Sequence, residues 1–126
     1  MTTGYSVAAR NAQLDAITTA VGNAGKLRLY DGARPATGGA ATNLLAEFTL
    51  GTPFAPGSAA GVLSPTLPAS TTGLAAGTAT WFRVVTSGAV QIIDGATPGD
   101  MTMSTTTVSV GLTMSVTAWT ITRGNA

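Results

Sequence analysis

Along the first 21 residues apolar side chains recur at every third or fourth position, and from Lys26 onward they recur at every second. That change of period predicts one helix followed by a β-rich chain. The helical stretch is residues 6–21, SVAARNAQLDAITTAV, where Leu14, Ile17 and Val21 make a stripe that Val7 and the alanines extend. Ser6 suits the N-cap, because its hydroxyl can accept from a first-turn N–H. Gly22 and Gly25 supply the stop. Arg10, Asn11, Gln13 and Asp15 fall on the other face. So short and weakly apolar a helix needs a surface to pack on.

The strands follow. In KLRLY, Leu27 and Leu29 share one face and Lys26, Arg28 and Tyr30 the other. Asp31-Gly32 marks a turn, and residues 35–41 read as a small-residue loop. In NLLAEFTL, Leu44, Ala46, Phe48 and Leu50 alternate with Asn43, Leu45, Glu47 and Thr49, the pattern of a half-buried strand. The passage TPFAPGSAAG holds Phe54 between two prolines and cannot be a central strand; GVLSPTLP reads as a short edge strand. Residues 69–77 read as loop. The strongest alternation is TATWFRVVTSGAVQIIDG, a hairpin over residues 79–94 turning at Ser87-Gly88. After a loop at 95–100, TTTVSVGLTMSVTAWTITR predicts a second pair of strands around Gly111-Leu112.

One helix and seven or eight short strands predict a mainly β fold, an antiparallel sandwich of jelly-roll type with a single N-terminal α-helix. Residues 1–25 are the arm and helix, and residues 26–126 a single β-sandwich domain. Composition then narrows the function. The 126 residues include no His and no Cys, so a Ser-His-Asp or Cys-His triad, a zinc site of the usual ligands and a disulfide are all excluded. A net charge of +1 is too weak a field for electrostatic binding of nucleic acid or of a membrane surface. No charged segment precedes an apolar run, and no apolar stretch is long enough to span a bilayer, so neither secretion nor membrane insertion is expected. Charged residues are only 9% of the chain, against roughly 25% in ordinary domains, while Thr, Ala and Gly make up about half of it. Depletion of charge is a property of interface cores, so the surface is expected to be covered by neighbouring subunits.

Candidate chemistry is thin. Asp31 and Asp94 each precede Gly, which is turn chemistry. A glycosidase needs two carboxylates across a cleft, and Glu47 with Asp94 is the pair that spacing leaves open. DGATPGD, with Asp94 and Asp100 alone, is the one stretch that leaves a calcium loop open, and TGGAAT and GSAAG lack the Lys-Ser/Thr of a phosphate loop. Lys26, Arg28 and Tyr30 line one strand face, which is either a small nucleic-acid surface or the wet side of a strand. Trp81 and Trp119 are either a stacking platform for sugars or parts of a core or subunit contact. No catalytic residue, cofactor or metal ligand is expected, and the chain is not expected to be an enzyme.

The order KLRLYDGARPA, LLAEFTL, GTATWFRVVTSGAVQIIDG, VSVGLTMSVTAWTITR resembles small structural proteins of tailed-bacteriophage virions, over nearly the whole chain. Proteins of that kind are commonly capsid decoration, or cement, subunits. The resemblance implies a β-rich subunit on the capsid exterior, assembled in the host cytoplasm, that binds the major capsid protein and copies of itself, as trimers about local symmetry axes, without touching nucleic acid or membrane. The contact elements expected are residues 1–21 and the loops 33–42 and 51–61. Arg10 and Arg34 are expected to make polar contacts with the shell, and proline-flanked Phe54 to serve as an apolar interface anchor. A tail, baseplate or head–tail connector subunit is the neighbouring alternative; a carbohydrate-binding module for host adhesion is the more distant one.

Overall fold

In a computed structural model describing residues 4–51, 53–97 and 99–122, helix α1 spans Val7–Val21. Ser6 caps it, its Oγ accepting from the Ala9 backbone N–H at 3.1 Å. Gly22, at φ 70°, ends it with an N–H donated to the Thr18 carbonyl at 3.2 Å. Among the described residues twelve strands follow: β1 (Lys26–Tyr30), β2 (Leu44–Thr49), β3 (Val62–Leu63), β4 (Thr71–Thr72), β5 (Gly77–Thr78), β6 (Trp81–Val85), β7 (Gln91–Ala96), β8 (Met101–Met103), β9 (Thr107–Val108), β10 (Thr113–Met114), β11 (Val116–Trp119) and β12 (Ile121–Thr122).

The fold is mainly β, antiparallel and sandwich-like, with this single helix. One layer is a four-stranded sheet in the order β2-β1-β6-β7. The rest is four two-stranded ladders, β3 with β12, β4 with β10, β5 with β9, and β8 with β11. Leu27, Leu29, Ala46, Phe48, Phe82 and Val84 are buried in the sheet, and Phe54, Leu63, Met101, Val108, Met114 and Trp119 are buried from the ladders and loops, all within one apolar cluster. Trp119 is central to it. Its ring meets Phe54 edge-on at 5.4 Å and Phe82 edge-on at 5.6 Å, geometries that contribute about 0.5–1.5 kcal/mol each beyond burial. Helix α1 packs against β3 and β7, burying Leu14 and Val21. Its polar flank pins the proline-rich loop: Asp15 Oδ1 accepts from the Ser58 N–H at 2.8 Å, Ser58 Oγ donates to the Asn11 carbonyl at 2.9 Å, and Asn11 Oδ1 accepts from the Gly61 N–H at 2.9 Å.

The hairpin over residues 79–94 forms as β6 and β7, with the Ala89 N–H closing its turn on the Thr86 carbonyl at 2.9 Å. Five expectations need correction. Asp94 with Gly95, read as turn chemistry, lies inside β7 opposite Arg83 and Phe82. The strands flanking Gly111 do not pair with each other: β9 pairs with β5 and β10 with β4. Alternation along a strand reports which face is buried, but not which strand lies alongside. The segment read as loop at 69–77 contains β4 and the start of β5, strands too short to alternate visibly. Leu45, assigned to the polar face, is buried, because the register shifts between Leu29 and Tyr30, whose partners are Ala46 and Leu44, and Leu45 is skipped. Phe54 is fully buried in the chain's own core, so it is no exposed anchor; the flanking prolines fix a loop whose aromatic ring turns inward onto Trp119.

Candidate functional site

The outer face of the four-stranded sheet carries the densest polar chemistry of the described residues. Register alone aligns four charges in a row across it. Glu47 on β2 pairs with Arg28 on β1, Arg28 with Arg83 on β6, and Arg83 with Asp94 on β7. Two arginines directly opposite would repel, and each is drawn outward to a carboxylate. Arg28 Nε meets Glu47 Oε2 at 2.8 Å in a pair about three-tenths exposed. Arg83 grips Asp94 with two donors, Nε to Oδ1 at 2.7 Å and Nη2 to Oδ2 at 3.1 Å. The Asp94 side chain has no exposed surface.

The loop at residues 31–43 is buttoned onto this second pair. Asp94 Oδ2 accepts from the Gly38 N–H at 2.9 Å, and Arg83 Nη2 donates to the Gly39 carbonyl at 2.7 Å. Trp81 lies beneath, with Tyr30 stacked on it at 4.4 Å and the Arg83 guanidinium 5.1 Å from its ring centre. The indole N–H donates to the Asp31 carbonyl at 3.1 Å and to Thr42 Oγ1 at 3.0 Å. Asp31 completes the closure by accepting from the Asn43 backbone N–H and amide at 3.1 and 3.2 Å.

The electrostatics follow from these contacts. Burial disfavours the Asp94 carboxylate, but hydrogen bonds from Arg83 and Gly38 outweigh it and hold its pKa below the ordinary value. The same pair raises Arg83. Burial likewise works against charged Arg28, and Glu47 outweighs it, leaving its pKa raised. Asp15, on the helix flank, is lowered chiefly by the Ser58 backbone N–H.

This arrangement closes several readings of the face. Glu47 and Asp94 stand at opposite ends of the row, three strand spacings or about 14 Å apart, with two guanidinium groups between them. Glycoside hydrolysis needs carboxylates within about 5–9.5 Å of each other. Lys26 Nζ donates to the neutral Thr49 Oγ1 at 3.0 Å and keeps its charge, but Arg28 is neutralised and Tyr30 is buried against Trp81, so the β1 face offers a single lysine charge and no open ring. Trp81 is completely buried and Trp119 is 4% exposed; neither presents a face for a sugar. Among the described residues no three acids, His or Cys come together as metal ligands, and no helix is long and apolar enough to cross a membrane.

A groove of about 230 Å³ lies between β7 and β12, with Phe82, Trp119 and Asp100 among its lining. Asp100 Oδ2 is occupied there, accepting from the Ala96 N–H at 2.8 Å. The residues assigned from sequence to an interface sit on three different elements. Arg34 is exposed on the loop at 31–43, Arg10 is half-buried within α1, and Phe54 belongs to the core. Of the segments expected to make contacts, residues 1–3 and Thr52 lie outside the described residues.

Sequence reasoning missed the Arg83–Asp94 clip. Its one legible signal was that Trp81 and Arg83 share a face of β6, with Asp94 across the hairpin. Compared with known proteins, the chain matches no family model, no curated protein and no solved structure.

Proposed function

We propose that this chain is a structural subunit of a tailed-bacteriophage particle, a decoration protein that binds the outside of the head lattice and stabilises it. One observation carries the reading: the chain spends its charges internally. Arg28, Glu47, Arg83 and Asp94 neutralise one another, while no Lys, Arg, Asp or Glu occurs from Phe48 to Phe82 or from Met101 to Thr122. A surface with so few ions shares the charge depletion of an interface core. Many shape-matched contacts repeated over a lattice give large avidity without one strong pair. The exposed loop bearing Arg34, held rigid by Asp94 and Arg83, supports this reading as a preformed contact element. The partners would be the major capsid protein and further copies of the chain.

Heads assembled with and without the protein test the proposal. Those lacking it are expected to form but to rupture at lower temperature and at milder osmotic shock. Equal survival, or density for the protein confined to the portal vertex or tail, removes the decoration role.

A further inference from the structure

The four-stranded sheet has two edges, β2 and β7. On β2 the Leu45 carbonyl accepts from the Leu74 N–H at 2.7 Å, so a neighbouring segment closes that edge. On β7 the direction of each main-chain group follows from alternation across the sheet. The Leu50 N–H bonds the Gly25 carbonyl at 2.8 Å, which turns the backbones of Leu27 and Leu29 toward β2. The backbones of Arg28 and Arg83 then face each other, Phe82 faces Gly95, and Asp94 and Ala96 face away from β6. The contacts of Ala96 agree: its N–H goes to Asp100 Oδ2 at 2.8 Å, and its carbonyl accepts from the Asp100 N–H at 3.0 Å. Asp100 thus plugs the edge at one end. The outward N–H and carbonyl of Asp94 have no partner among the described residues.

Asp94 lines the groove between β7 and β12, and because its side chain has no exposed surface, it does so through its main chain. A Cβ at Gly95 would sit 2.5 Å from the Phe82 ring and 3.2 Å from Asp100 Oδ2, so glycine keeps the space between them clear. The Arg83 clip fixes Asp94 in advance, and little conformational entropy is lost when its backbone is paired. At the plugged end Asp100 is exposed, and no Lys or Arg neutralises it among the described residues.

We propose that the β7 edge is a strand-addition site: an extended peptide segment of a partner protein enters the β7–β12 groove, pairs its main chain with that of Asp94, and sets a Lys or Arg side chain against Asp100. The groups on offer identify the occupant. An edge residue with a free donor and a free acceptor matches the N–H and C=O of another strand. The carboxylate beside them suits a cationic side chain, through a charge-assisted hydrogen bond. A sugar would find Trp119 only 4% exposed, and a lipid tail would meet the Asp100 charge. The site goes beyond the decoration reading and stands or falls independently of it.

Amide chemical shifts of the full, isotope-labelled chain test the proposal, with the blocked peptide acetyl-Thr-Val-Lys-Val-Thr-amide as probe at millimolar concentration. The amides of Ile93, Asp94, Gly95 and Ile121 are expected to move, and the Asp94 N–H to exchange more slowly with solvent. A probe N-methylated at every amide should not bind, because it has no main-chain donor to offer. Replacing the probe's Lys by Glu should weaken binding about fivefold, the scale of an exposed ion pair. Asp100→Asn can keep the Ala96 contact but not the charge, so it should erase that preference while the original probe still binds. No movement at these amides, equal binding by the N-methylated probe, or a Lys preference that survives Asp100→Asn overturns strand addition. Shifts there that grow with protein concentration alone would make the occupant a second copy, and overturn it equally.

Discussion

The four-stranded sheet and the ladders packed on it solve the same problem with different chemistry. On the sheet's outer face, four ions, two aromatic rings and the 31–43 loop are locked by directional bonds, among them the 2.7 Å contacts of Arg83 with Asp94 and with the Gly39 carbonyl. The ladders have no ions, and most are only two residues long. They are held by burial of Phe54, Met101, Met114 and Trp119, and by glycines that let backbones cross at close range. Polar chemistry in this protein therefore orders a loop, while cohesion comes from packing.

Four substitutions would break or sharpen that contrast. The largest effect is expected from Phe54→Ala, which removes the ring set edge-on against Trp119. Cavity formation at such a site costs about 3–5 kcal/mol, read as a lowered urea midpoint. A loss below about 1 kcal/mol would show that the ladders are not held by packing. Arg83→Ala comes next. It strands a fully buried carboxylate, for a cost of about 3 kcal/mol, and should speed hydrogen exchange at the Gly38 N–H. The pH dependence has a definite sign. The Asp94 pKa is lower in the folded chain than the 3.8 of an unperturbed carboxyl, so the clip contributes fully above that value and is lost as pH falls below it. Asp94→Asn should flatten the acid limb of the stability curve. The smallest effect is expected from Arg28→Ala, because its ion pair is partly open to solvent and surface pairs contribute about 0–1 kcal/mol. If Arg28→Ala costs as much as Arg83→Ala, the buried clip is not the electrostatic element that sets the two halves apart.

Much of this was legible from the residues. Ser6 and Gly22 delimit the helix because capping is local chemistry, and the alternation from Trp81 to Gly95 specifies a hairpin because its partner strand is adjacent in sequence. What escaped is what distance along the chain hides. Pairing β9 with β5 and β10 with β4 brings together segments about thirty to forty residues apart, and no local period encodes that. Leu45 misleads because a bulge inverts its face, and Phe54 because flanking prolines suggest exposure. The charged row needed only the register of three strand pairs, but the register itself was out of reach.

Asp94 and Arg83 grip the 31–43 segment through the amide of Gly38 and the carbonyl of Gly39, atoms that most residue types possess. Gly38 takes φ 79° and a Cβ on Gly39 would sit 2.9 Å from the Ala36 carbonyl oxygen, so the clip demands glycine at those two positions but reads the segment through backbone atoms alone. Ala33, Arg34, Ala36, Thr37, Ala40 and Ala41 can be exchanged by drift or selection while the tether stays fastened, so new adhesive preferences can arise there without disturbing the scaffold beneath.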